Sequence, residues 1–482
     1  MAAIMLQGTG SDVGKSVLVA GLCRIFSNMG IKVCPFKPQN MSNNAAVAIE
    51  GGEIGRAQSL QAAACRVKPS VHMNPVLLKP QSNTGAQIIV HGKPRGTLLA
   101  QNFNTERISL LNEVMQSFEC LKKQSDIVVV EGAGSPAEIN LRNGDIANMG
   151  FAKPAGVPVI LVGDIDRGGV IASLVGTKAV LDPSDAEMIK GFIINRFRGR
   201  VELFEDGYRA IERQTGWRGF GIVPWMAVAR SLPAEDAVAE DLQKSGVITI
   251  AIPVMPAISN HDDFDALESE ESVRLIRVRP GETLPAQARL VILPGSKATI
   301  SDLMFFRAQG WDIDLLAHIR RGGFVLGICG GYQILGKTIS DPNGEEGKAG
   351  VTKGLGLLNV HTVLNADKRV TEVSGVSLKY GDSFRGYEIH HGQTELESGV
   401  SAFLKLSTGE LDGALSDNGR IAGCYIHRLF DAPEFRARLL GTLGAASSGF
   451  DQNERVETAL DAIASELAAH LDIDSLLKVA KI

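Results

Sequence analysis

One cysteine stands in a setting that suits a catalytic nucleophile. Residues 324–333 read FVLGICGGYQ, which is an apolar run of strand length, then Gly-Ile-Cys-Gly-Gly, then the start of a helix. Glycines on both sides allow a sharp strand-to-helix turn that lifts the central side chain clear of the sheet. The N-terminus of the following helix would stabilise a thiolate. We therefore predict that Cys329 is a nucleophile.

A nucleophilic thiol needs a base, and the chain has nine histidines from which to supply it. His427 ends the apolar run GCYIH, so we expect it at the same sheet edge as Cys329. His390 and His391 are the alternatives; they precede a turn and could instead line a substrate pocket. The position at a strand end favours His427.

The same chemistry requires backbone N–H groups that point at the developing negative charge. The amide of Gly330 directly follows the nucleophile. The amide of Gly295 follows another apolar run, RLVILPG, and would reach the same sheet edge. We predict that these two amides form an oxyanion hole.

A second constellation lies near the start of the chain. Residues 8–16 read GTGSDVGKS between a predicted strand and a predicted helix, and this pattern is typical of a loop whose N–H groups surround phosphates. The first glycine of the common G-x-x-x-x-G-K-[ST] pattern would fall at 9, where this chain has threonine. We predict that Ser16 binds Mg²⁺ and that ATP phosphates contact Gly8, Thr9, Gly10, Val13, Gly14, Lys15 and Ser16.

Two further residues are expected beside this loop. Glu131 ends the buried run DIVVVEG, so it should lie at the carboxyl edge of the sheet, where ligands of open α/β sheets bind. We predict that Glu131 is the second Mg²⁺ partner, because Asp126 begins the strand and belongs at its far end. Lys37, in the polar segment PFKPQNMSNNA, is expected to contact substrate or phosphate.

Positioning these two groups of candidate residues requires two α/β domains. Continuous apolar runs of strand length at 31–36, 126–132, 158–164 and 191–197 predict a parallel sheet that helices cover on both faces. A second series begins at 248 after a polar, acidic stretch. The expected organisation is a nucleotide domain at 1–235, a linker at 236–246, a second α/β domain at 247–440 and a helical segment at 441–482.

Composition excludes several classes of partner. The net charge is −5 without long blocks of either sign, so the chain has no electrostatic signature of nucleic-acid or anionic-membrane binding. No apolar run approaches the ~20 residues that span a bilayer, and the N-terminus does not resemble a secretory signal. The six cysteines contain no C-x-x-C pair. We expect a cytoplasmic protein, and the oligomeric state stays open.

The N-terminal half resembles the dethiobiotin-synthetase-like branch of phosphate-loop enzymes. The shared features are GTGSDVGKS, the Lys37-Pro38 dipeptide, EGAG at 131–134 and IIN at 193–195. The resemblance implies that ATP phosphorylates a carboxylate, which a nitrogen nucleophile then attacks. It also implies that Asn195 contacts the adenine.

The C-terminal half resembles class I glutamine amidotransferase domains. The segment PGS, the glycine-bracketed cysteine and the late histidine carry this resemblance, which implies that the cysteine releases ammonia from L-glutamine. Members of that class carry glutamate two residues after the histidine, whereas this chain has Leu429. Asp431 is too poorly placed to be assigned the role, so the residue that replaces the glutamate is left open.

Across nearly its whole length the chain resembles the cobyric acid synthase family of the corrinoid pathway. The segments that carry the resemblance are PQNMSNNA, GGEIGRAQSLQAA, MNPVLLKPQ, DIDRGG, FRGYEIHHGQT and CYIHRLFD, although Arg428 replaces an expected glycine. The resemblance implies amidation of the b, d, e and g carboxylates of adenosylcobyrinic acid a,c-diamide, with glutamine, ATP and Mg²⁺. Cobyrinic acid a,c-diamide synthase is the nearer alternative, and a partitioning ATPase is the more distant one.

Overall fold

The computed structural model describes residues 2–82, 85–99, 109–233 and 245–482. Their contacts divide the chain into two compact units, Met1–Pro233 with Val456–Ile482, and Ala234–Arg455. The predicted linker at 236–246 lies almost entirely outside the described residues. Among the described residues, no helix is both long and apolar enough to cross a membrane.

The first unit contains twelve described strands before residue 234. They are β1 (Ala2–Gly8), β2 (Val33–Phe36), β3 (Gln39–Met41), β4 (Ala45–Val47), β5 (Glu53–Gly55), β6 (Val76–Ser82), β7 (Gly85–Val90), β8 (Lys93–Leu99), β9 (Ile127–Glu131), β10 (Val159–Asp164), β11 (Ile189–Phe197) and β12 (Arg218–Pro224). The helices in this range are α1 (Lys15–Asn28), α2 (Arg56–Ala64), α3 (Leu111–Gln124), α4 (Met149–Ala155), α5 (Val170–Val180), α6 (Pro183–Ala186) and α7 (Glu205–Thr215).

The second unit contributes the following strands: β13 (Ile248–Pro253), β14 (Val273–Val278), β15 (Ala288–Leu293), β16 (Phe324–Ile328), β17 (Thr338–Asp341), β18 (Gly350–Lys353), β19 (Val360–Ser377), β20 (Ser383–Leu396), β21 (Leu404–Leu406), β22 (Leu411–Asp412), β23 (Ala414–Leu415) and β24 (Ile421–Cys424). Its helices are α8 (Asp265–Ser269), α9 (Thr299–Ala308), α10 (Trp311–Arg320), α11 (Gly330–Leu335) and α12 (Pro433–Leu443). The last two helices of the chain are α13 (Gln452–His470) and α14 (Ile473–Ala480).

A six-stranded parallel sheet forms the centre of the first unit. Its order is β12-β11-β10-β1-β9-β2, and every neighbouring pair is parallel. The central strand β1 is buried along its whole length, because apolar core clusters cover both of its faces. The expectation of a parallel sheet covered on both faces is confirmed. Since β1 and β9 are neighbours, the phosphate loop and Glu131 end at the same edge.

The second unit is also α/β, but it carries an additional antiparallel layer. Its main sheet has the order β14-β13-β15-β16-β24-β23 and is parallel except for the pair β23 and β24. A second sheet contains the long antiparallel pair β19 and β20. The parallel sheet brings the ends of β15, β16 and β24 to one edge, as expected for the predicted glutaminase residues.

The C-terminal helices belong to the first unit and do not form a separate segment from residue 441. Residues 441–443 end α12, whereas residues from 456 onward join the first unit. Apolar side chains of α13, among them Leu460, Ile463 and Leu467, share a buried cluster with α1 and β1. The helix pair was expected, but an amphipathic pattern does not identify the surface that it covers.

The contact between α1 and α13 leaves no room for a side chain at Gly21. A Cβ atom there would lie 2.3 Å from Leu467 Cδ1. We expect Gly21→Ala to destabilise the protein, because overpacking costs about 1–3 kcal/mol and exceeds the ~1 kcal/mol gain in helix propensity.

Gly176→Ala is the matched control. Gly176 also lies inside a helix, but a Cβ atom there would contact nothing within 4 Å. The free energy of unfolding of Gly176→Ala, measured by urea denaturation, should equal or exceed that of wild type. Equal effects of the two substitutions would contradict the packing of α13 on α1.

Candidate active sites

The nucleophile expected in the second unit sits on a strained turn. Cys329 lies between β16 and α11 with φ 51° and ψ −110°, a conformation that L-residues adopt rarely. A Cβ at Gly331 would lie 2.0 Å from the Leu293 carbonyl oxygen. The sulfur lies 3.6 Å from the Ile389 carbonyl oxygen. Glycine beside the cysteine is therefore a steric requirement of this turn.

His427 is the histidine that the fold brings to this sulfur. Strand β24 ends at Cys424, so His427 lies just beyond the strand. There the backbone N–H of His427 donates to the Tyr387 carbonyl oxygen at 2.9 Å. Burial alone would lower the pKa of His427, but the Asp263 carboxylate and a side-chain hydrogen bond with Cys329 raise it to about 10. The raised pKa favours a protonated imidazole at neutral pH.

The two alternative histidines have other partners. His390 stacks on Tyr425 with ring centroids 3.7 Å apart, and its Nδ1 lies 3.1 Å from the Gly392 carbonyl oxygen. Burial lowers the pKa of His390 to about 3, so this ring is neutral. His391 Nδ1 lies 3.3 Å from the Asn365 carbonyl oxygen. Both rings are therefore held by contacts other than the Cys329 sulfur, and the assignment of the base to His427 stays a prediction.

The carboxylate that contacts His427 comes from an unexpected part of the chain. His427 Nδ1 and Asp263 Oδ2 are 2.8 Å apart, although the two residues are 164 positions apart. Leu429 is fully buried in the apolar core. Asp431 pairs with Arg428, whose Nε lies 2.5 Å from its Oδ2. No motif or spacing near Asp263 indicates this contact.

The two glycines expected to form the oxyanion hole flank the nucleophile and the histidine. A Cβ at Gly295 would lie 3.1 Å from His427 Cε1, and a Cβ at Gly330 would lie 2.9 Å from the Ser296 amide nitrogen. The Ser296 hydroxyl donates to Asp302 Oδ2 at 2.6 Å, which fixes the backbone after Gly295. The fold therefore brings both segments together, and their catalytic role stays a prediction.

In the first unit, the phosphate loop is tightly folded. Gly14 has φ 88°, and a Cβ at Gly8 would lie 2.7 Å from both the Gly10 carbonyl oxygen and Val13 Cγ2. The Thr9 N–H donates to Val162 in β10 at 2.9 Å. Lys15 Nζ donates to the Gly10 carbonyl oxygen at 3.2 Å. The loop thus has the glycine-dependent curvature that a phosphate site needs.

Asn195 is attached to this loop. Its Nδ2 donates to the Val13 carbonyl oxygen at 2.8 Å, and the side chain is buried. A Cβ at Gly14 would lie 2.4 Å from the same nitrogen, so glycine is required there for a second reason. Asn195 therefore fixes the backbone of the loop. Contact with adenine stays a prediction for this residue.

Glu131 is the centre of the buried polar groups beside the loop. Its Oε1 accepts hydrogen bonds from Ser16 Oγ at 2.8 Å and from Lys37 Nζ at 2.9 Å. Its Oε2 accepts from Gln61 Nε2. Gln61 lies on α2, within a segment that carried the family resemblance but had received no role. Asp126 lies at the opposite end of β9, where it accepts from the Lys32 N–H at 3.0 Å.

This arrangement fits a magnesium nucleotide. Hydroxyl and carboxylate oxygens are the donors that Mg²⁺ prefers, and those of Ser16 and Glu131 lie 2.8 Å apart. The Lys37 ammonium forms an ion pair with the same Glu131 oxygen, and the Lys15 ammonium lies in the phosphate loop. When bound, the metal ion would neutralise phosphate charge. The Mg²⁺ and phosphate roles of these residues stay predictions.

Comparison with known proteins gives matches for both units and for the whole chain. Residues 4–239 match the CobQ/CobB/MinD/ParA nucleotide binding domain, and residues 249–435 match the CobB/CobQ-like glutamine amidotransferase domain. The protein named cobyric acid synthase from Rhizorhabdus wittichii is 57% identical and aligns over 100% of this chain and 99% of its own length.

Proteins with the same name from two other bacteria match as extensively. The one from Novosphingobium aromaticivorans is 57% identical over 99% of this chain and 97% of its own. The one from Rhodobacter capsulatus is 57% identical over 100% of both chains. The chain belongs to the cobyric acid synthase family.

Proposed function

We propose that this enzyme uses ATP and glutamine to amidate the b, d, e and g carboxylates of adenosylcobyrinic acid a,c-diamide, giving adenosylcobyric acid. The observation that carries this proposal is the combination of a phosphate loop and a cysteine-histidine site in a chain that matches cobyric acid synthases over its full length. Since ATP and glutamine are cytoplasmic metabolites, we propose that the reaction takes place in the cytoplasm.

The second unit supplies ammonia. The Cys329 sulfur attacks the side-chain carboxamide carbon of glutamine, and the backbone amides of Gly295 and Gly330 stabilise the oxyanion. The C–N bond then breaks, and ammonia leaves with the proton of the His427 imidazolium. Water attacks the carbonyl carbon of the resulting thioester and gives one proton to His427. The C–S bond then breaks, which frees the Cys329 thiolate and releases glutamate.

The first unit activates the carboxylate. A carboxylate is a poor electrophile, so its oxygen first attacks the γ-phosphorus of ATP and forms an acyl phosphate while ADP leaves. Lys15 and Lys37 offset the negative charge that gathers on the transferring group. Ammonia attacks the acyl carbon and phosphate leaves, which gives the amide.

Cys329→Ala should separate the two activities. Glutamine-dependent amidation should fall on the order of 10³-fold or more, because no nucleophile remains to form the thioester. Amidation with a high concentration of ammonium salt should continue, since the ligase unit is intact. Cys120→Ala is the control, because Cys120 lies on α3 of the first unit. Loss of amidation with both glutamine and ammonium in Cys329→Ala would refute this division of labour.

Lys15→Ala should abolish amidation with either nitrogen source. Loss of a group that neutralises transition-state charge costs ~10²–10³-fold in rate, and ammonia cannot replace an unformed acyl phosphate. Lys32→Ala, an exposed lysine at the opposite end of the sheet, should retain activity. The rate of amide formation should be measured with glutamine and with ammonium. A normal rate of amide formation by Lys15→Ala would contradict the assignment of residues 8–16 as a phosphate loop.

Glu131→Gln tests the proposed magnesium site. We expect the Mg²⁺ concentration at half-maximal amidation to rise by roughly 10- to 100-fold, because an amide is a weaker ligand than a carboxylate. Glu138→Gln, an exposed residue a few positions later, is the matched control. An unchanged Mg²⁺ dependence in Glu131→Gln would exclude this residue from the metal site.

Cobyrinic acid a,c-diamide synthase is the second candidate, because both matched domain models cover CobB-type as well as CobQ-type proteins and do not by themselves separate ligases that share these two domains. Mass spectrometry of corrinoids incubated with enzyme, ATP and glutamine distinguishes the two. Four added amides on the a,c-diamide support the first proposal, whereas two on the unamidated corrinoid support the second.

A further inference from the structure

The imidazole of His427 is held by a carboxylate that precedes the nucleophile in the chain. Asp263 lies in the short helical turn His261–Phe264, which follows β13. Its side chain is fully buried, and its Oδ2 lies 2.8 Å from His427 Nδ1. A buried carboxylate is retained only where hydrogen-bond donors or positive charges satisfy it. This contact is therefore a strong structural constraint on the histidine.

Both oxygens of this carboxylate contact the segment that carries the base. Oδ1 accepts the N–H of Arg428 at 2.7 Å, while Oδ2 contacts the ring of His427. Arg428 has φ 61°, in the left-handed region that favours glycine, and glycine is the residue expected there. Asp263 therefore fixes the ring through one oxygen and the adjacent backbone through the other.

Other carboxylates near the site have different partners. Glu388 pairs with Arg369 at 2.5 Å, and Asp412 accepts the Tyr425 N–H at 3.1 Å. Asp431 pairs with the guanidinium of Arg428. Among the residues that the structure describes, Asp263 is the carboxylate that contacts His427 Nδ1.

A second contact holds the imidazole through its face. Tyr387 stacks on His427 with ring centroids 5.3 Å apart and an angle of 23° between the planes. The Tyr387 hydroxyl accepts a hydrogen bond from Asn260 Nδ2 at 2.7 Å. Asn260 directly precedes the turn that carries Asp263, so one short segment supports the ring from its edge and from its face.

We infer that Asp263 is the positioning carboxylate of the glutaminase, in the role that class I amidotransferases assign to a glutamate two residues after the histidine. This inference rests on the proposed function. Asp263 keeps a proton on Nδ1, so that Nε2 is the atom that exchanges protons with the leaving ammonia and the attacking water. Leu429 can then contribute to the apolar core, because the carboxylate reaches the ring from another direction.

Asp263→Asn is the closest change in shape. An amide offers one oxygen where the native group offers two, so either His427 Nδ1 or the Arg428 N–H must face an NH₂ group. The same change in a Ser-His-Asp site lowers kcat by ~10⁴-fold. A thiol is intrinsically more nucleophilic than a hydroxyl, so we expect a smaller loss, on the order of 100-fold, in kcat for glutamine hydrolysis.

Further measurements distinguish a positioning role from a general structural role. Asp263→Asn should keep a KM for glutamine near that of wild type and should amidate normally with ammonium salt. Asp263→Glu should recover part of the lost kcat, because it restores a carboxylate. Asp431→Asn is the matched control: it removes a carboxylate close to His427 in sequence but leaves the acceptor of Nδ1 in place, so glutamine hydrolysis should continue.

The outcomes separate this inference from the proposed function. If wild type does not hydrolyse glutamine, the proposed function fails. If wild type hydrolyses glutamine and Asp263→Asn does so at a similar rate, the inference about Asp263 fails alone. A greater loss in Asp431→Asn than in Asp263→Asn would assign the positioning role to Asp431 instead.

Discussion

In each unit, the structure of the site depends on one buried carboxylate. Burying an unpaired charge costs several kcal/mol, so donors must reach it from wherever the fold can supply them. Glu131 receives groups from three separate segments, through Ser16, Lys37 and Gln61. Asp263 receives the imidazole and a backbone N–H from the segment at His427. These requirements determine which segments the fold must bring together at each site.

The features that were predictable from the sequence are those whose physical cause is local. The turn at Cys329 needs glycine on both sides, because a Cβ at Gly327 would lie 2.6 Å from the Gly331 carbonyl oxygen. The phosphate loop needs glycine at Gly8 and Gly14 for the same kind of reason. Because these requirements fall on adjacent residues, they leave a recognisable pattern. The parallel sheets were predictable on similar grounds, from continuous buried runs such as β1 and β9.

Features that depend on contacts between distant residues were not predictable. Asp263 stands among other acidic residues in NHDDFD, and its spacing gives no indication that it reaches His427. Gln61 looks like any polar residue of a short helix until the fold brings α2 to Glu131. The apolar face of α13 was visible, but its partner α1 lies more than 400 residues earlier in the chain. One sequence supplies residue types and periodicity, whereas these contacts follow from topology.

The position of Asp263 also explains why the usual acid can be absent from its usual place. Catalysis requires an acceptor at Nδ1 with the right distance and direction, and it does not require that this acceptor follow the histidine in the chain. Once a carboxylate from another loop occupies that position, a second acid at 429 would bring a buried like charge toward the same ring, which is costly. Leucine contributes apolar burial there instead. With Asp263 at Nδ1, the ring has a carboxylate acceptor without an acid at 429.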